Sequence, residues 1–415
     1  MTRAPESRSH KTKRRVTVAP RRERDPVAII LGLAVAGALL LVDVRAHAAF
    51  DAPKRLMAIF GIAIAACVAA SIRMNVAPVL TRTRRIALIA GAAAIVAMVV
   101  SAAVSPHRAV ALDGTRTMLL FALVVFLAAR HDRSWRAVSV GFVAASAINA
   151  AIALLQRAGA IDLFQYATVG GRTNTSAMMG NDGLLSLTLA FAVIIAAGWM
   201  FDGRRKSLIA ALLVLLLAAM LVNRSITAIV SLVAGLATFA LLRSVSRPKI
   251  VVGTMLIATM LAGLAQIGAV HLARWNPQLT FRVGAWAAAA EMIVERPFTG
   301  FGAGTYGAEF AEHRIRADLR AGENLANPAL TGSYTEAHSE YLQGMAELGV
   351  PALLLICVAI VASAMNAAAG TDRTSHVVVA VLIAGAVAAL TWFPMQRPAT
   401  CILLLASIGR AWRSE

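Results

Sequence analysis

The sequence predicts an all-α polytopic membrane protein with about twelve transmembrane helices. Three observations carry that prediction. The chain has 415 residues, of which 59% are hydrophobic and only 15% charged, a composition far from that of a soluble domain. Apolar runs of roughly 16 to 22 residues recur along almost its whole length. Lys and Arg concentrate in every second loop, the pattern that orients membrane helices.

Residues 1–25 form a basic tail carrying Lys11, Lys13, Arg14, Arg15, Arg21, Arg22 and Arg24. It is expected to be disordered, to set topology and to touch anionic lipid headgroups. Residues 26–415 read as one transmembrane domain. Its expected spans are 27–42, 56–72, 86–104, 117–129, 137–155, 184–201, 207–222, 225–242, 250–270, 341–363, 375–391 and 398–411. The fourth and twelfth are the shortest, and short spans need snorkelling flanks or a thinner bilayer. Ala46-His47-Ala48 has the form of a small-x-small cleavage site, but the long basic segment before it favours an uncleaved first span.

The net charge of +19 does not indicate nucleic acid, because the charge is divided among alternate loops. After the tail come Arg82/Arg84/Arg85, Arg130/Arg133/Arg136, Arg204/Arg205/Lys206 and Arg243/Arg247/Lys249. The intervening short loops are poor in both residues. This bias places both termini in the cytoplasm, in agreement with an even number of spans, and residues 271–340 outside it. Cys67, Cys357 and Cys401 all fall in apolar spans and read as small packing residues.

Two external segments exceed a tight turn, 157–183 and the long loop 271–340 between spans nine and ten. Loops of that length commonly carry function. Within the second, 282–296 has helix composition, with Arg282 and Trp286 one turn apart and Pro297 as its stop. Residues 306–320 form a second, mixed-charge helix. Between them lies P-F-T-G-F-G-A-G-T-Y. No strand precedes it and no Lys-Ser/Thr pair follows, so Gly300, Gly302 and Gly304 indicate tight backbone packing rather than a nucleotide cradle.

The centres of the spans hold almost no ionisable residue. Pumps and ion-coupled transporters need such groups, so any chemistry belongs at the outer rim. His338 lies there. Ser333-x-x-Glu336 is a capping-box pattern and predicts a helix start that puts His338 in the first turn. A helix N-terminus disfavours imidazolium, and a neutral imidazole can take a proton from a hydroxyl. Glu336 and Glu340 are competing bases, or serve the helix start. Arg224, in the short external turn L-V-N-R-S-I-T, stands beside backbone N–H groups that Ser225 or Asn223 could cap. That setting suits phosphate. Arg282, with Trp286, enters the long loop close to the membrane, and Arg172 is a further candidate in 157–183. For each arginine the plain alternative is a snorkelling or surface side chain. No His pair stands at i, i+4 and no external acidic cluster has cation-ligand spacing, so neither a metal nor another cofactor is expected.

Taken together, these residues resemble the O-antigen ligase family, which shares a C-terminal region with O-antigen polymerases. The matching segments are M-G-N-D (179–182), N-R-S-I-T-A (223–228), R-V-G-A-W (282–286), E-R-P-F-T-G-F-G-A-G-T-Y (295–306) and H-S-E-Y-L-Q-G-M-A-E-L-G (338–349). The chain departs from the family pattern at Ser339, where Asn is common, and at Asp182 and Gly183, where a second Asn is expected.

The resemblance implies a GT-C-like, metal-independent, inverting glycosyltransferase of the bacterial inner membrane, with its site on the periplasmic face. Its donor would be an undecaprenyl-diphosphate-linked glycan, and its acceptor a lipid A–core or another hydroxyl. Arg224 and Arg282 would hold the diphosphate and His338 would act on the acceptor hydroxyl. Arg172, Trp286, Tyr341 and Glu336 would complete the substrate site. A polymerase on the same carrier is the near alternative, and a polytopic transporter or flippase the distant one.

Overall fold

A computed structural model describes residues 25–46, 48–72, 81–161, 163, 175–201, 205–244, 252–253, 259, 277–321, 334–370 and 372–413; the side chains of 277–281 and 321 are left aside. The described residues form fourteen α-helices. The first eight are α1 (Pro26–Leu40), α2 (Ala52–Ser71), α3 (Arg82–Val104), α4 (Arg108–Arg130), α5 (Ser134–Arg157), α6 (Asp182–Met200), α7 (Lys206–Asn223) and α8 (Ile226–Ser244). There follow α9 (Pro277–Glu295), α10 (Tyr306–Ala321), α11 (Glu340–Leu348), α12 (Val350–Ala368), α13 (Arg373–Ala388) and α14 (Pro398–Ala411). Eight of them are long and apolar enough to cross a membrane, and α1, α13 and α14 are shorter apolar helices. The chain is therefore a multi-pass membrane protein.

Local chemistry sets the helix ends. Asp25, Thr81, Asn181 and Asp372 accept the N–H three residues on, at 3.2, 3.2, 3.0 and 3.2 Å, and so satisfy donors that no helical carbonyl can reach. Ser225 does the same for α8, taking the N–H of Ala228 at 3.4 Å. The fourth span is longer than its apolar run suggested, because α4 begins at Arg108 with a polar first half. The expected span 341–363 is two helices, α11 and α12, broken at Gly349. Most of the expected span 250–270 lies outside the described residues.

The core sits on α6 and α13. Every residue from Leu184 to Ala196 is buried, whereas α7 turns Leu208, Val214 and Leu221 outward. Close helix contacts rest on small residues, as in other membrane bundles. At Gly141 a Cβ would stand 2.2 Å from the carbonyl oxygen of Gly32, so α1 and α5 meet backbone to backbone.

Contacts at the two ends fix the alternation of the helices. At one end His131 meets Asp25 at 3.2 Å, Arg413 meets Asp132, and Thr81 and Thr83 donate to Asn366 at 2.8 and 2.9 Å. Both described chain ends and the α2–α3, α4–α5 and α12–α13 connections gather there. At the other end the α1–α2, α5–α6 and α13–α14 connections meet α9–α11, which cap the bundle and carry His338.

Candidate active site

His338 precedes α11 rather than lying in its first turn. Ser339 is the N-cap, accepting from Leu342 N at 3.5 Å, so the helix starts after the expected capping box. Ser333 lies outside the described residues. Serine and asparagine are equally good N-caps, which gives the departure at Ser339 a physical account. His338 itself has φ +53°, a left-handed conformation unusual for a residue with a Cβ. Its pKa is lowered to about 4, first by burial and then by the guanidinium groups of Arg282 and Arg397. The imidazole is thus neutral at physiological pH, as expected, although the helix dipole is not the cause.

An aromatic cluster surrounds it. The His338 ring lies 5.4 Å from Phe393, 6.0 Å from Trp392 and 6.0 Å from Tyr334, centre to centre. Trp392 and Phe393 stack on each other at 4.9 Å and 14°. Arg282 places its guanidinium 5.8 Å from the Trp392 ring, and Arg397 lies 4.5 Å from Phe393. Two cations thus converge on one stacked pair, and the histidine ring lies against both of its members.

Arg397 escaped the sequence reading. It donates to Asp51 at 2.7 Å and to Glu336 at 3.1 Å, so it ties the α1–α2 connection to the His338 segment. Glu336 is therefore an ion-pair partner, and it also accepts from Thr335 Oγ1 at 2.8 Å. The signal was available. Like Arg224, Arg397 is an arginine in a short turn beside an apolar run, here followed by Pro398 at the start of α14. Glu340 fixes the same turn by accepting from the N–H groups of Met395 and Gln396. Burial pushes its carboxyl up to about 8 against the pull of those donors. It is then mostly protonated at neutral pH and adds little negative charge beside His338.

Beside Arg397 and the stacked pair opens a cavity of about 300 Å³, lined by Phe50, Asp51, Gly180, Asn181, Trp392 and Arg397 among others. The M-G-N-D segment forms one wall. Lys54 holds it in place, donating to Met178 O at 2.6 Å and to Leu41 O at 2.8 Å. Asn149 accepts Met178 N at 3.0 Å, and Gln156 accepts Ala177 N at 2.9 Å. Neither Lys54 nor these two amides stood out in the sequence, since Lys54 and Gln156 stand beside an arginine at the end of an apolar run and Asn149 is a single polar residue within one.

The other candidates fall around this centre. Trp286 is buried on α9 one turn from Arg282. Arg224 ends α7 with φ +51° and is exposed. Its turn approaches the cluster through a 2.8 Å bond between the hydroxyls of Thr227 and Thr391, next to Trp392. Tyr341 turns toward α13 and donates to Ala386 O at 3.0 Å. Arg172 lies outside the described residues.

The glycine-rich turn packs tightly, as its composition suggested. Phe301 N and Gly302 N donate to Ala346 O and Glu347 O at 3.0 and 2.7 Å, and Val350 N donates to Pro297 O at 2.8 Å. At Gly349, φ is +84° and a Cβ would stand 2.3 Å from Phe298 O. The two motifs P-F-T-G-F-G-A-G-T-Y and E-L-G are thus the halves of one joint.

No curated protein matches the chain. A family model described as O-antigen ligase matches residues 190–357, from within α6 to within α12. That stretch holds Arg224, Arg282, Trp286, Glu336, His338 and Tyr341, whereas Arg397 and the M-G-N-D wall lie outside it. With the motifs, their order and this match in agreement, residues 190–357 are similar to the O-antigen ligase family.

Proposed function

We propose that the chain is a GT-C-like, inverting glycosyltransferase that moves a glycan from undecaprenyl diphosphate to a hydroxyl of lipid A–core or another acceptor. The observation that carries this is one neutral histidine held with two arginines around the Trp392–Phe393 pair, beside a cavity. The acceptor oxygen attacks the anomeric carbon and the bond from that carbon to the diphosphate oxygen breaks. A single displacement inverts the anomeric centre. The acceptor proton passes to His338, and the charge growing on the diphosphate is met by Arg282 and Arg224. No metal is required in this scheme, because guanidinium groups supply the positive charge.

A base with a pKa of about 4 is weak, and the proposed donor corrects this. A bound diphosphate offsets Arg282, removes part of what depresses the imidazole and raises its basicity once substrate is in place. His338 is therefore a stronger base in the loaded site than in the free protein, with burial still holding its pKa down.

The proposed setting is the bacterial inner membrane, with both termini cytoplasmic and the His338 end periplasmic. The supporting observation is that Arg82, Arg84, Arg85, Arg130, Arg133 and Arg136 flank connections at the end opposite His338. His338→Ala should abolish transfer while membrane insertion and folding persist. The measurement is a gel of surface glycan from a deletion strain carrying the variant. Unligated lipid-linked polymer is the expected product, single repeat units would assign the chain as a polymerase, and wild-type surface glycan would remove the base role.

A further inference from the structure

We infer that Gln343, Glu347 and Tyr306 form a positioning chain that sets His338 against Arg282. This rests on the proposed function, since it assigns these residues a role in that same site. None of the three touches the aromatic cluster in a way that would make it a catalytic residue.

The chain is a run of hydrogen bonds through a buried interior. It starts one residue before the histidine, where Ala337 N donates to Gln343 Oε1 at 2.9 Å. The other end of the same amide donates to Glu347 Oε1 at 3.0 Å. That carboxyl also takes Tyr306 N at 3.2 Å and Gly304 N at 2.8 Å. The Tyr306 hydroxyl then donates to Ala285 O at 2.7 Å, on the turn of α9 that carries Arg282. Gln343, Glu347 and Tyr306 are 5%, 4% and 0% exposed, so no bulk water competes for these bonds.

The conformation of His338 explains why such a chain is needed. A non-glycine residue at φ +53° is strained and is held there by its surroundings. On one side Ser339 caps α11 and Glu340 N donates to Ala389 O at 2.9 Å. On the other side the bond from Ala337 N to Gln343 restrains the backbone, alongside the Arg397–Glu336 pair one residue earlier. Arg282 and His338 stand on separate segments, 56 positions apart in the numbering. Among the described residues, Gln343, Glu347 and Tyr306 are a continuous polar route between their backbones.

The test uses the full-length protein in native membranes, with undecaprenyl-diphosphate-linked glycan and acceptor lipid extracted from the source strain. Gln343→Leu removes the link to Ala337, and Tyr306→Phe removes only the terminal hydroxyl. Both should lower kcat by roughly 10- to 100-fold, the scale of a misplacement near 1 Å. The donor KM should stay within about twofold, since Arg282 and Arg224 are both retained. Hydrogen exchange of the 334–340 peptide should quicken in Gln343→Leu. If that variant does not fold, Tyr306→Phe decides alone through its kcat.

Unchanged kcat in the folded variants overturns the inference, as does a KM rise with kcat preserved. His338→Ala, run alongside, separates the two levels of the argument. Transfer by His338→Ala overturns the base role and this inference with it. An inactive His338→Ala with wild-type kcat in the positioning variants overturns the inference alone.

Discussion

The helical bundle and the cap above it are held together by different physics. In the bundle, α1, α5, α6, α13 and α14 bury alanine, valine and leucine, and their closest contacts are steric, as between Gly32 and Gly141. In the cap, α9, α10 and α11 share a smaller apolar cluster around Tyr306 and Phe310, with buried polar groups bonded to backbone at its edge. A bundle contact fails by crowding. Away from the glycine joint, a polar cap contact fails by leaving a donor unmatched. The site lies where the two meet, with His338 and Arg282 from the cap and Trp392, Phe393 and Arg397 from the bundle.

That contrast can be broken at its strongest point first. Glu347→Ala strips the acceptor from Gly304 N, Tyr306 N and Gln343 Nε2 together. Buried donors left unmatched cost about 1–3 kcal/mol each, so the cap should loosen by several kcal/mol. Limited proteolysis should then cut within 297–306 while the membrane helices stay protected. Protection throughout would show the cap to be held by its apolar cluster alone.

Gly141→Val probes the other regime. The new side chain meets the Gly32 carbonyl, and overpacking of this kind costs about 1–3 kcal/mol. A lower Tm in detergent is expected, with the cap no more open to protease than before.

The smallest expected effect sharpens the meeting point. Protonation disables the base, so kcat/KM should fall as the pH drops through the His338 pKa, near 4 in the free protein. Arg397→Gln removes one of the two charges that depress it, and the acid limb should move upward. It should stay below 6.5, because burial and Arg282 remain. An acid limb that does not move would place Arg397 too far from the imidazole to act on it.

Much of the bundle was legible in the sequence, because hydropathy reports burial in lipid directly. The runs at 184–201, 207–222 and 398–411 correspond to α6, α7 and α14 within about two residues. The break between α11 and α12 was hidden because Leu348, Val350 and the residues after it continue the apolar run across Gly349, despite Gln343 and Glu347 before it. Only the G-V-P triplet marked it. His338 stood out at a helix start, and Arg282 and Trp286 by their spacing in the long loop; the structure brings His338 and Arg282 to one aromatic pair. Arg397 was missed because its partners Asp51 and Glu336 are distant in sequence, and an arginine without a visible partner reads as a topology signal. The roles of Gln343 and Glu347 were not visible either, since a polar stripe on a short helix resembles a solvated face until its neighbours are known.

On the proposed reading, the lengths of α13 and α14 bear on how deep the site lies. With 16 and 14 residues at a 1.5 Å rise, they reach about 24 and 21 Å, less than a hydrocarbon core of ~30 Å. If both cross the membrane from its opposite face, the turn that joins them, with Trp392, Phe393 and Arg397, sits below the level that a full-length span would reach. On the proposed reading, a diphosphate carried on a polyprenyl tail meets its arginines at headgroup depth. It need not be lifted into water, and the vertical position of the donor is set by the membrane before any side chain touches it.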